Sequence, residues 1–191
     1  MSSSATRLLR TPNTILGPFY PVGAQAPAEV DLTKGQALGN GQRIVVEGLV
    51  VDAHGIAIVG ATVEIWHADS TGRYAHPNDR QTPLGLTSFI GHGRQQTDAL
   101  GRFAFVTIYP APYALDDGSI RASHIHFQVT GRHERLVTQM FFADERLNED
   151  DPALRRMRRP EALTATWATT PRSDRHDARR AARWTIVMTS G

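Results

Sequence analysis

Residues 121–129 contain the pattern that most constrains the fold of this chain. From residue 124 the even positions are His, His and Gln, whereas the odd positions from 125 are Ile, Phe and Val. This period of two predicts a β-strand with one apolar face. It places His124 and His126 on the same face, one pleat apart, where both imidazoles can bind one metal ion. Alone, such a pair is a moderate signal, because many His-x-His pairs are simply polar residues on a solvated face.

Other stretches of the chain predict an all-β protein. One short helix is expected, with Asp151 as its N-cap and Pro152 in its first position. Sixteen Gly and eleven Pro imply many turns. These features predict a β-sandwich of mostly antiparallel sheets with little helix. The remaining strands are expected at residues 43–52, 61–68, 102–108, 135–142 and 183–189.

Two irregular segments accompany these strands. Residues 1–42 are interpreted as an extended N-terminal arm, which must bury Phe19 and Tyr20 on its own body or on a neighbouring subunit. Residues 75–100 form a long loop, and a loop of this length within a compact domain is usually functional. No domain break is visible, so the whole chain is expected to be one domain with residues 43–191 as its core and C-terminal segment.

Composition excludes several kinds of site. The 191-residue chain has no cysteine, which rules out disulfides, thiolate zinc sites, iron–sulfur clusters and cysteine nucleophiles. Any metal must then be bound by His, Tyr, Asp or Glu. The chain shows no secretory signal and no run of roughly 18 apolar residues, so we expect a cytoplasmic protein that does not engage a membrane. The arginines between residues 155 and 183 alternate with acidic residues, which indicates a solvated surface or subunit interface rather than nucleic-acid binding.

Tyr74 and Tyr113 strengthen the metal-binding interpretation of the histidine pair and indicate which ion it would bind. Each follows a strand, after a turn or a Pro-rich bend, where a side chain can be directed at one point on the sheet. A single tyrosine is more often a core or surface residue, but two phenolates with two imidazoles suit a hard trivalent ion. A free phenol has a pKa of about 10, which a bound cation of that charge lowers. The set therefore favours Fe(III) over Zn(II).

A series of motifs runs from near the N-terminus to the strand at residues 135–142. They are Thr11-Pro12 with Gly17-Pro18-Phe19-Tyr20, Gly60-Ala61-x-Val63-Glu64-Ile65-Trp66-x-Ala68-Asp69 leading to Gly72-Arg73-Tyr74, Thr97-Asp98 with Gly101-Arg102-Phe103, Thr107-Ile108-x-Pro110 leading to Tyr113, Arg121-x-x-His124-Ile125-His126-Phe127, and Gln139. Any one motif would be weak, but together they are highly specific. In their order and spacing, the chain resembles the intradiol ring-cleaving dioxygenases, most closely the protocatechuate 3,4-dioxygenase type.

This resemblance implies a non-haem Fe(III) enzyme with one iron per chain and a catechol and O2 as substrates. It implies cleavage of the ring between the two hydroxyl-bearing carbons to give a cis,cis-muconate. The implied iron ligands are Tyr74, Tyr113, His124 and His126, with a hydroxide completing the coordination.

The resemblance also implies roles for residues around the iron. Tyr113 matches the ligand that leaves the iron when the catechol binds, whereas Tyr74 matches the ligand that stays. Arg121 matches an arginine that stabilises negative charge on the substrate, and Gln139 matches a glutamine near the iron. The substrate pocket is expected to include Gly17, Pro18 and Tyr20.

Departures from the family pattern leave the ring substituents of the substrate open. Ala111 follows Pro110 where the family often has Gly, and Leu115 stands where it often has Trp. Catechol and hydroxyquinol 1,2-dioxygenase activities are therefore alternatives to a protocatechuate-like substrate. Tyr109 is an alternative to Tyr113 as ligand. The short chain carries all four ligands, which predicts a homo-oligomer whose residues 11–20 reach a neighbour's pocket, or a hetero-oligomer with a second subunit type.

Two other classes of function fit the sequence less well. A non-catalytic β-sandwich binding module would not need the four ligands together. A zinc hydrolase using His124 and His126 would need a third acidic ligand nearby. Among neighbouring residues, Trp66 is expected in the core, Arg73 in a structural ion pair or hydrogen bond, and His92 on the surface.

Overall fold

The structure is a computed structural model that describes residues 7–21, 28–34, 41–79, 89–168 and 180–189. These residues form ten strands and three short 3₁₀ helices. The strands are β1 (Arg43–Val51), β2 (Thr62–Trp66), β3 (His92–Gln96), β4 (Arg102–Ile108), β5 (Tyr113–Ala114), β6 (Ile120–Arg121), β7 (His124–Thr130), β8 (Arg135–Phe142), β9 (Thr164–Ala168) and β10 (Ala181–Val187). The 3₁₀ helices span Arg146–Glu149, Leu154–Arg156 and Pro160–Leu163.

Eight strands are connected in the order β3-β2-β7-β8-β9-β10-β1-β4, and β5 pairs with β6 alone. The β8–β9 and β1–β10 pairs are parallel, whereas the other strand pairs are antiparallel. The halves on either side of the β8–β9 junction face one another, since the Phe127 ring of β7 lies 5.8 Å from Phe103 of β4 and 5.2 Å from Trp184 of β10. The predicted, mostly antiparallel β-sandwich is confirmed.

The alternation predicted for the histidine strand is present in β7. Ile125, Phe127 and Val129 are completely buried in the core between the two layers. His124 and His126 point to the opposite face of the sheet and are also buried. This second face is covered by loops and by the N-terminal arm, which is why every residue from 124 to 129 is inaccessible.

Several predicted elements differ from the structure. The predicted loop 75–100 contains β3, whose polar sequence lacks an apolar alternation and is stabilised by pairing with β2; residues 80–88 of this loop lie outside the described residues. β9 was likewise not predicted. The histidine strand begins at His124, because Arg121 belongs to the separate strand β6. The predicted helix is a 3₁₀ helix, Leu154–Arg156, with Ala153 as its N-cap, so the assignment of Asp151 as N-cap and Pro152 as first helical residue is wrong; the chain becomes extended at Met157.

The described part of the N-terminal arm, residues 7–21, packs on its own chain. The Thr11 amide donates to the Val187 carbonyl at 2.9 Å, and the Thr14 amide donates to the Val137 carbonyl at 2.9 Å. The second bond is available because β9 pairs with β8 only at Phe141 and Phe142, which leaves the first half of β8 open on that side. In this structure residues 11–20 therefore lie on their own chain, and their contact with a neighbour's pocket stays a prediction.

The helices of the described ranges are three 3₁₀ helices of three or four residues each. None of these helices is long and apolar enough to cross a lipid bilayer. The cytoplasmic location stays a prediction.

One fully buried histidine outside the histidine strand makes stability depend on pH. His67 is 1 % exposed, and its two ring nitrogens lie 2.7 Å from the Ala68 carbonyl and 2.7 Å from the Thr107 hydroxyl. The carbonyl only accepts, so Nδ1 donates to it and Nε2 accepts from Thr107. Both bonds suit the neutral ring, and burial lowers the pKa of His67 from 6.5 to about 4.

We expect His67→Gln to remove an acid-sensitive part of the unfolding free energy. Between pH 6.5 and 4 the unfolded state binds more protons at this residue than the folded state, so stability falls as the pH falls. Going from about pH 7.5 to about pH 5, the wild type should lose about 2 kcal/mol more than the variant. Urea unfolding at both pH values measures this difference, and equal losses in the two proteins would contradict it.

Candidate metal centre

Four side chains proposed as metal ligands come together on the outer face of β7. The ring centroids are 5.0 Å apart for His124 and His126, 5.8 Å for Tyr113 and His124, 5.7 Å for Tyr74 and Tyr113, and 6.2 Å for Tyr74 and His126. Each aromatic ring therefore contacts two others of the set. The arrangement brings residues from three separate parts of the chain to one point.

A tight turn after β2 positions Tyr74. The Asp69 carboxylate accepts hydrogen bonds from the Thr71 amide at 2.7 Å and the Arg73 amide at 3.0 Å. The Tyr74 amide then donates to the Asp79 carboxylate at 2.8 Å. Arg73 also lies 3.5 Å from the Asp79 carboxylate, which agrees with its expected structural role. The backbone before Tyr74 is thus held from both sides.

The second tyrosine is positioned against the same turn. Gly72 has φ +82°, and a Cβ at this residue would lie 2.8 Å from the Pro112 carbonyl oxygen. Only glycine therefore allows the two tyrosine segments to approach so closely. The Ala111 amide donates to the Asp69 carbonyl at 3.0 Å, which supports the Pro-rich bend without a glycine at residue 111. Tyr113 is then placed directly opposite Arg121 in the β5–β6 pair.

The hydrogen bonds of His124 define which nitrogen faces the centre. Its Nδ1 lies 2.6 Å from the Ala122 carbonyl oxygen. A carbonyl only accepts, so this nitrogen carries the proton and Nε2 presents a lone pair. That Nε2 lies 3.3 Å from Nε2 of His126. Two imidazole nitrogens directed at each other in this way need a proton or a cation between them.

Burial keeps these imidazoles neutral. Burial first, and then the nearby Arg121 charge, lower the pKa of His124 to about 3. Burial and then His124 lower the pKa of His126 well below 6.5. Neutral imidazole is the form that binds a metal ion, so both rings are ready ligands near neutral pH.

Burial affects the two phenols in the opposite sense. It raises the pKa of Tyr74 well above 10, with the neighbouring Tyr113 as the second cause. It also raises the pKa of Tyr113, although the Arg121 charge opposes this shift. A strong cation at the centre would have to supply the free energy of deprotonation. A ferric ion does this more effectively than a divalent ion.

The Tyr74 hydroxyl gives a further indication of a missing partner. It is buried and has no hydrogen-bond partner among the residues that the structure describes. Buried hydroxyls are seldom left unpaired. The same described ranges contain no group of three or more His, Cys, Asp or Glu residues suited to a metal. The mixed set of two imidazoles and two phenols, with one orphaned oxygen, fits a ferric ion.

A chain of buried polar groups lies beside the four rings. The Arg121 guanidinium donates to the Gln139 side-chain oxygen at 2.8 Å and to the Asp151 carboxylate at 2.9 Å. Gln139 lies opposite His126 in the β7–β8 register, and its amide nitrogen is 3.4 Å from His126 Nδ1. The two residues predicted beside the iron are thus connected to each other and to one imidazole.

A cavity of about 580 Å³ opens next to these groups. Tyr113, Arg121 and His126 form part of its wall, and so do Gly17 and Pro18 as predicted. Tyr20 does not line this cavity. Its ring instead lies edge-on to Trp66 at 5.0 Å. The other described residues of the wall are Ile15, Phe19, Gly72, Asn78, Asp79, Leu115 and Asp116.

The N-terminal arm forms the roof of the centre. The Phe19 ring stacks on Tyr74 at 4.5 Å. At Gly17, where φ is +79°, a Cβ would lie 3.0 Å from Cε1 of His126. The arm and the His126 imidazole are therefore in direct contact, and the arm restricts the position of that ring.

Replacing Gly17 by alanine is expected to displace His126 and reduce iron binding at least tenfold. The added methyl group meets the imidazole and cannot be accommodated without a shift. Gly118→Ala is the matched control, because Gly118 has φ +81° and its Cβ would have nothing within 4 Å. Both variants carry similar backbone strain, of about 1 kcal/mol. Iron affinity measured by chelator competition should fall only for Gly17→Ala; equal affinities would contradict the contact.

Three contributors to the centre were not predicted from the sequence. Trp66 is in the core as expected, but its ring also stacks on His126 at 5.0 Å with an interplanar angle of 16°. Its side of β2 was predictable from the alternation, whereas its position across from His126 depends on the β2–β7 register. Phe19 and Asp151 are the other two, and neither carries a local signal of this role.

The structure places Tyr109 outside the cluster. Its ring packs on Phe142 at 4.6 Å, and its hydroxyl donates to Glu145 at 3.2 Å. The alternative in which Tyr109 replaces Tyr113 is therefore not supported. His92, expected on the surface, is half-buried, and its Nδ1 lies 3.1 Å from the Ile90 carbonyl.

Comparison with known proteins agrees with this geometry. The profile of a family described as Dioxygenase matches residues 15–190. The protocatechuate 3,4-dioxygenase beta chain of Burkholderia cepacia is 40% identical over 143 residues, which are 71% of this chain and 60% of that protein. The hydroxyquinol 1,2-dioxygenase of Nocardioides simplex is 35% identical over 156 residues, which are 73% of this chain and 50% of that protein.

A solved structure has the same fold. Catechol 1,2-dioxygenase from Acinetobacter sp. ADP1 superimposes with a TM-score of 0.74 and 27% identity, over 94% of this chain and 63% of that one. The chain spans about half to three fifths of the length of the two curated relatives described above. Because the family profile extends over nearly all of its residues, the chain belongs to the intradiol ring-cleaving dioxygenase family.

Proposed function

We propose that this protein is a non-haem Fe(III) dioxygenase that cleaves a catechol between its two hydroxyl-bearing carbons, with O2, to a cis,cis-muconate. Tyr74, Tyr113, His124 and His126 would hold one iron per chain. The observation that supports this most directly is the convergence of two neutral imidazoles and two phenols beside an open cavity. Family membership supports the same reaction.

The two tyrosines have different surroundings, which suits different roles. Tyr74 is buried under Phe19, whereas Tyr113 is less buried and lines the cavity. When bound, Fe(III) would supply a Lewis acid for both catechol oxygens and a redox centre for the reaction with O2. In this proposal Tyr113 would be the ligand that gives way to the substrate, and its phenolate would take a proton from a catechol hydroxyl.

Arg121 supplies the fixed positive charge of the cavity wall. It is only 5 % exposed, and its charge is oriented by Asp151 and Gln139 before any substrate arrives. A preorganised cation at this position stabilises negative charge that develops on the ring oxygens. Ile15, Pro18 and Phe19 of the arm add apolar surface to the wall of the same cavity.

The substrate is proposed at the level of a catechol, either protocatechuate-like or otherwise substituted. The named relatives act on protocatechuate, hydroxyquinol and catechol, so catechol and hydroxyquinol 1,2-dioxygenase activities are the alternatives. Leu115 and Asp116 also line the cavity, and we propose them as contacts for a ring substituent. Substituting Leu115 and Asp116 in turn, and comparing oxygen uptake with catechols that carry different ring substituents, would show which substituents this wall accepts.

Oxygen uptake by the iron-loaded protein tests this proposal. We expect one iron per chain, a visible absorption band from tyrosinate-to-iron charge transfer, and uptake with at least one of catechol, protocatechuate, hydroxyquinol and alkyl-substituted catechols. Chromatography of the products should show a muconate. Absence of iron binding and of uptake with the whole panel would favour a binding module. Retained zinc without oxygen consumption would favour a hydrolase.

The assembly is proposed to be a homo-oligomer. All four proposed ligands and the arm that covers them come from one chain in this structure. The exposed apolar side chains Leu9, Ile56 and Val59 offer surface for association. Light scattering with the chain expressed alone measures the oligomeric state, and oxygen uptake that appears only after a second protein is added would favour a hetero-oligomer.

A further inference from the structure

We propose that Asp151 is a positioning residue that orients the His124 imidazole and the Arg121 guanidinium at the iron site. The inference rests on the proposed function, because it concerns groups that would hold the iron and face the substrate. Asp151 lies in the loop after β8 and is 30 residues from Arg121 in sequence. It has no exposed surface, and it does not line the cavity.

The two carboxylate oxygens of Asp151 have separate partners. Oδ1 accepts hydrogen bonds from the Ala153 and Leu154 amides, both at 2.9 Å. Oδ2 accepts from Arg121 Nε and from the Ala122 amide, again both at 2.9 Å. The first oxygen therefore caps the backbone turn that precedes the 3₁₀ helix Leu154–Arg156. The second oxygen holds the segment that leads into β7.

One route runs from Oδ2 to His124 through a single residue, Ala122. The Ala122 amide is fixed by Asp151, and the Ala122 carbonyl accepts the Nδ1 proton of His124 at 2.6 Å. That bond selects the tautomer in which Nε2 presents its lone pair to the centre. Partners of this kind orient metal-binding histidines and raise their affinity. Asp151 thus acts on His124 without touching it.

The other route runs through two side chains to His126. Asp151 fixes Arg121 by its Nε, which leaves the Arg121 terminal nitrogen on the Gln139 oxygen at 2.8 Å. The Gln139 amide nitrogen lies 3.4 Å from His126 Nδ1 and 3.5 Å from the Ile15 carbonyl oxygen. An NH2 group only donates, so this contact does not select the tautomer in which His126 Nε2 presents a lone pair. This route therefore fixes Arg121 and Gln139 beside His126, and the tautomer that Asp151 selects is that of His124.

A role limited to capping the turn does not account for this arrangement. Asp98 caps a comparable turn by accepting from the Leu100 and Arg102 amides, both at 2.8 Å. It is exposed and lies on the loop before β4, away from the four rings. A cap thus needs neither full burial nor a second oxygen on an arginine. The contacts of Oδ2 are the additional feature of Asp151.

Asp151→Asn separates the capping role of Oδ1 from the positioning role of Oδ2. The amide oxygen of asparagine can still accept from the Ala153 and Leu154 amides. Its NH2 group, however, would face the Arg121 Nε and Ala122 N–H donors from which Oδ2 accepted. Two measurements follow its effect. The first is the tautomer and proton exchange of His124 in iron-free protein, by nitrogen-15 NMR of the imidazoles. The second is the rate at which a chelator removes iron from the loaded protein. Asp98→Asn is the control for loss of a capping carboxylate, and Ile186→Ala is the control for general destabilisation.

We expect Asp151→Asn to lose the single Nδ1-protonated tautomer of His124 and to release iron at least tenfold faster than the wild type. Asp98→Asn and Ile186→Ala should keep both properties when each protein is measured at the same interval below its own Tm. If Asp151→Asn does not fold, Asp151→Glu is expected to change the same two properties in the same direction, since its carboxylate is displaced by one methylene.

The inference would be overturned if Asp151→Asn kept the wild-type His124 tautomer and the wild-type rate of iron release. It would also be overturned if Ile186→Ala changed both properties as much as Asp151→Asn does. Failure of the proposed function gives a different result. If the wild-type protein binds no iron, the proposed function is refuted, while the NMR measurement on iron-free protein still decides whether Asp151 orients His124.

Discussion

Tyr74→Phe is expected to abolish iron retention without destabilising the iron-free protein. The hydroxyl it removes is buried and lacks a hydrogen-bond partner among the described residues, so its loss removes an unsatisfied polar group. The unfolding free energy of the iron-free variant should be unchanged or higher by about 1 to 2 kcal/mol. The same change removes a phenolate ligand, so the visible charge-transfer absorption should weaken and iron affinity should fall by at least two orders of magnitude, roughly 3 kcal/mol. Denaturant unfolding and iron analysis after dialysis measure the two effects.

Tyr109→Phe is the matched control for this prediction. The Tyr109 hydroxyl is bonded to Glu145 and lies outside the four rings. Its removal should destabilise the protein by about 1 kcal/mol and leave iron content and absorption at wild-type values. Tyr74→Phe is thus expected to lose iron and to keep or gain stability, whereas Tyr109→Phe is expected to keep iron and to lose stability. Full iron content in Tyr74→Phe, or its loss in Tyr109→Phe, would show that the ligand set is assigned incorrectly.

Arg121→Met is expected to have the second large effect, on both stability and turnover. The guanidinium and the Asp151 carboxylate are 7 % and 0 % exposed and 2.9 Å apart. Methionine keeps part of the side-chain volume but leaves a buried carboxylate without its cation, which costs about 3 to 5 kcal/mol. Loss of the fixed charge at the cavity wall should lower kcat by about 10²- to 10³-fold. Urea unfolding and steady-state oxygen uptake measure these quantities.

The double variant Arg121→Met with Asp151→Asn separates the structural effect from the catalytic effect. Removing the carboxylate charge takes away the unpaired ion, so the double variant should recover part of the lost stability. It should not recover kcat, because no cation faces the substrate. A double variant with wild-type turnover would mean that Arg121 serves only as the partner of Asp151.

The strand alternation allowed much of the fold to be predicted. In β7 the apolar residues face a closed core, and an alternation is reliable where one face is so clearly buried. β3 escaped prediction because its residues do not alternate, and both β3 and the short strand β9 depend on pairing with neighbouring strands. The break between Arg121 and His124 was missed for a similar reason. Only the pairing of Arg121 with Tyr113 shows that it belongs to another strand.

The candidate metal ligands could be predicted from the sequence, because histidine and tyrosine side chains can bind a metal wherever they converge. Two imidazoles on one strand face and two tyrosines after turns were sufficient to propose the centre, and the structure brings them together. The supporting residues were not predictable in the same way. Trp66 acts through a register with β7, Phe19 acts through the path of the arm, and Asp151 acts through a loop 30 residues distant. Such roles depend on tertiary contacts that leave no local pattern in the sequence.

The most direct test of the central claim is the fate of isotopically labelled dioxygen during turnover of catechol by the iron-loaded protein. Mass spectrometry of the product should show a muconate that carries both labelled oxygen atoms, one on each new carboxylate. Tyr74→Phe, prepared in the same way, should give no labelled product. A semialdehyde, or a product with a single labelled atom, would contradict the assignment of this centre to intradiol ring cleavage.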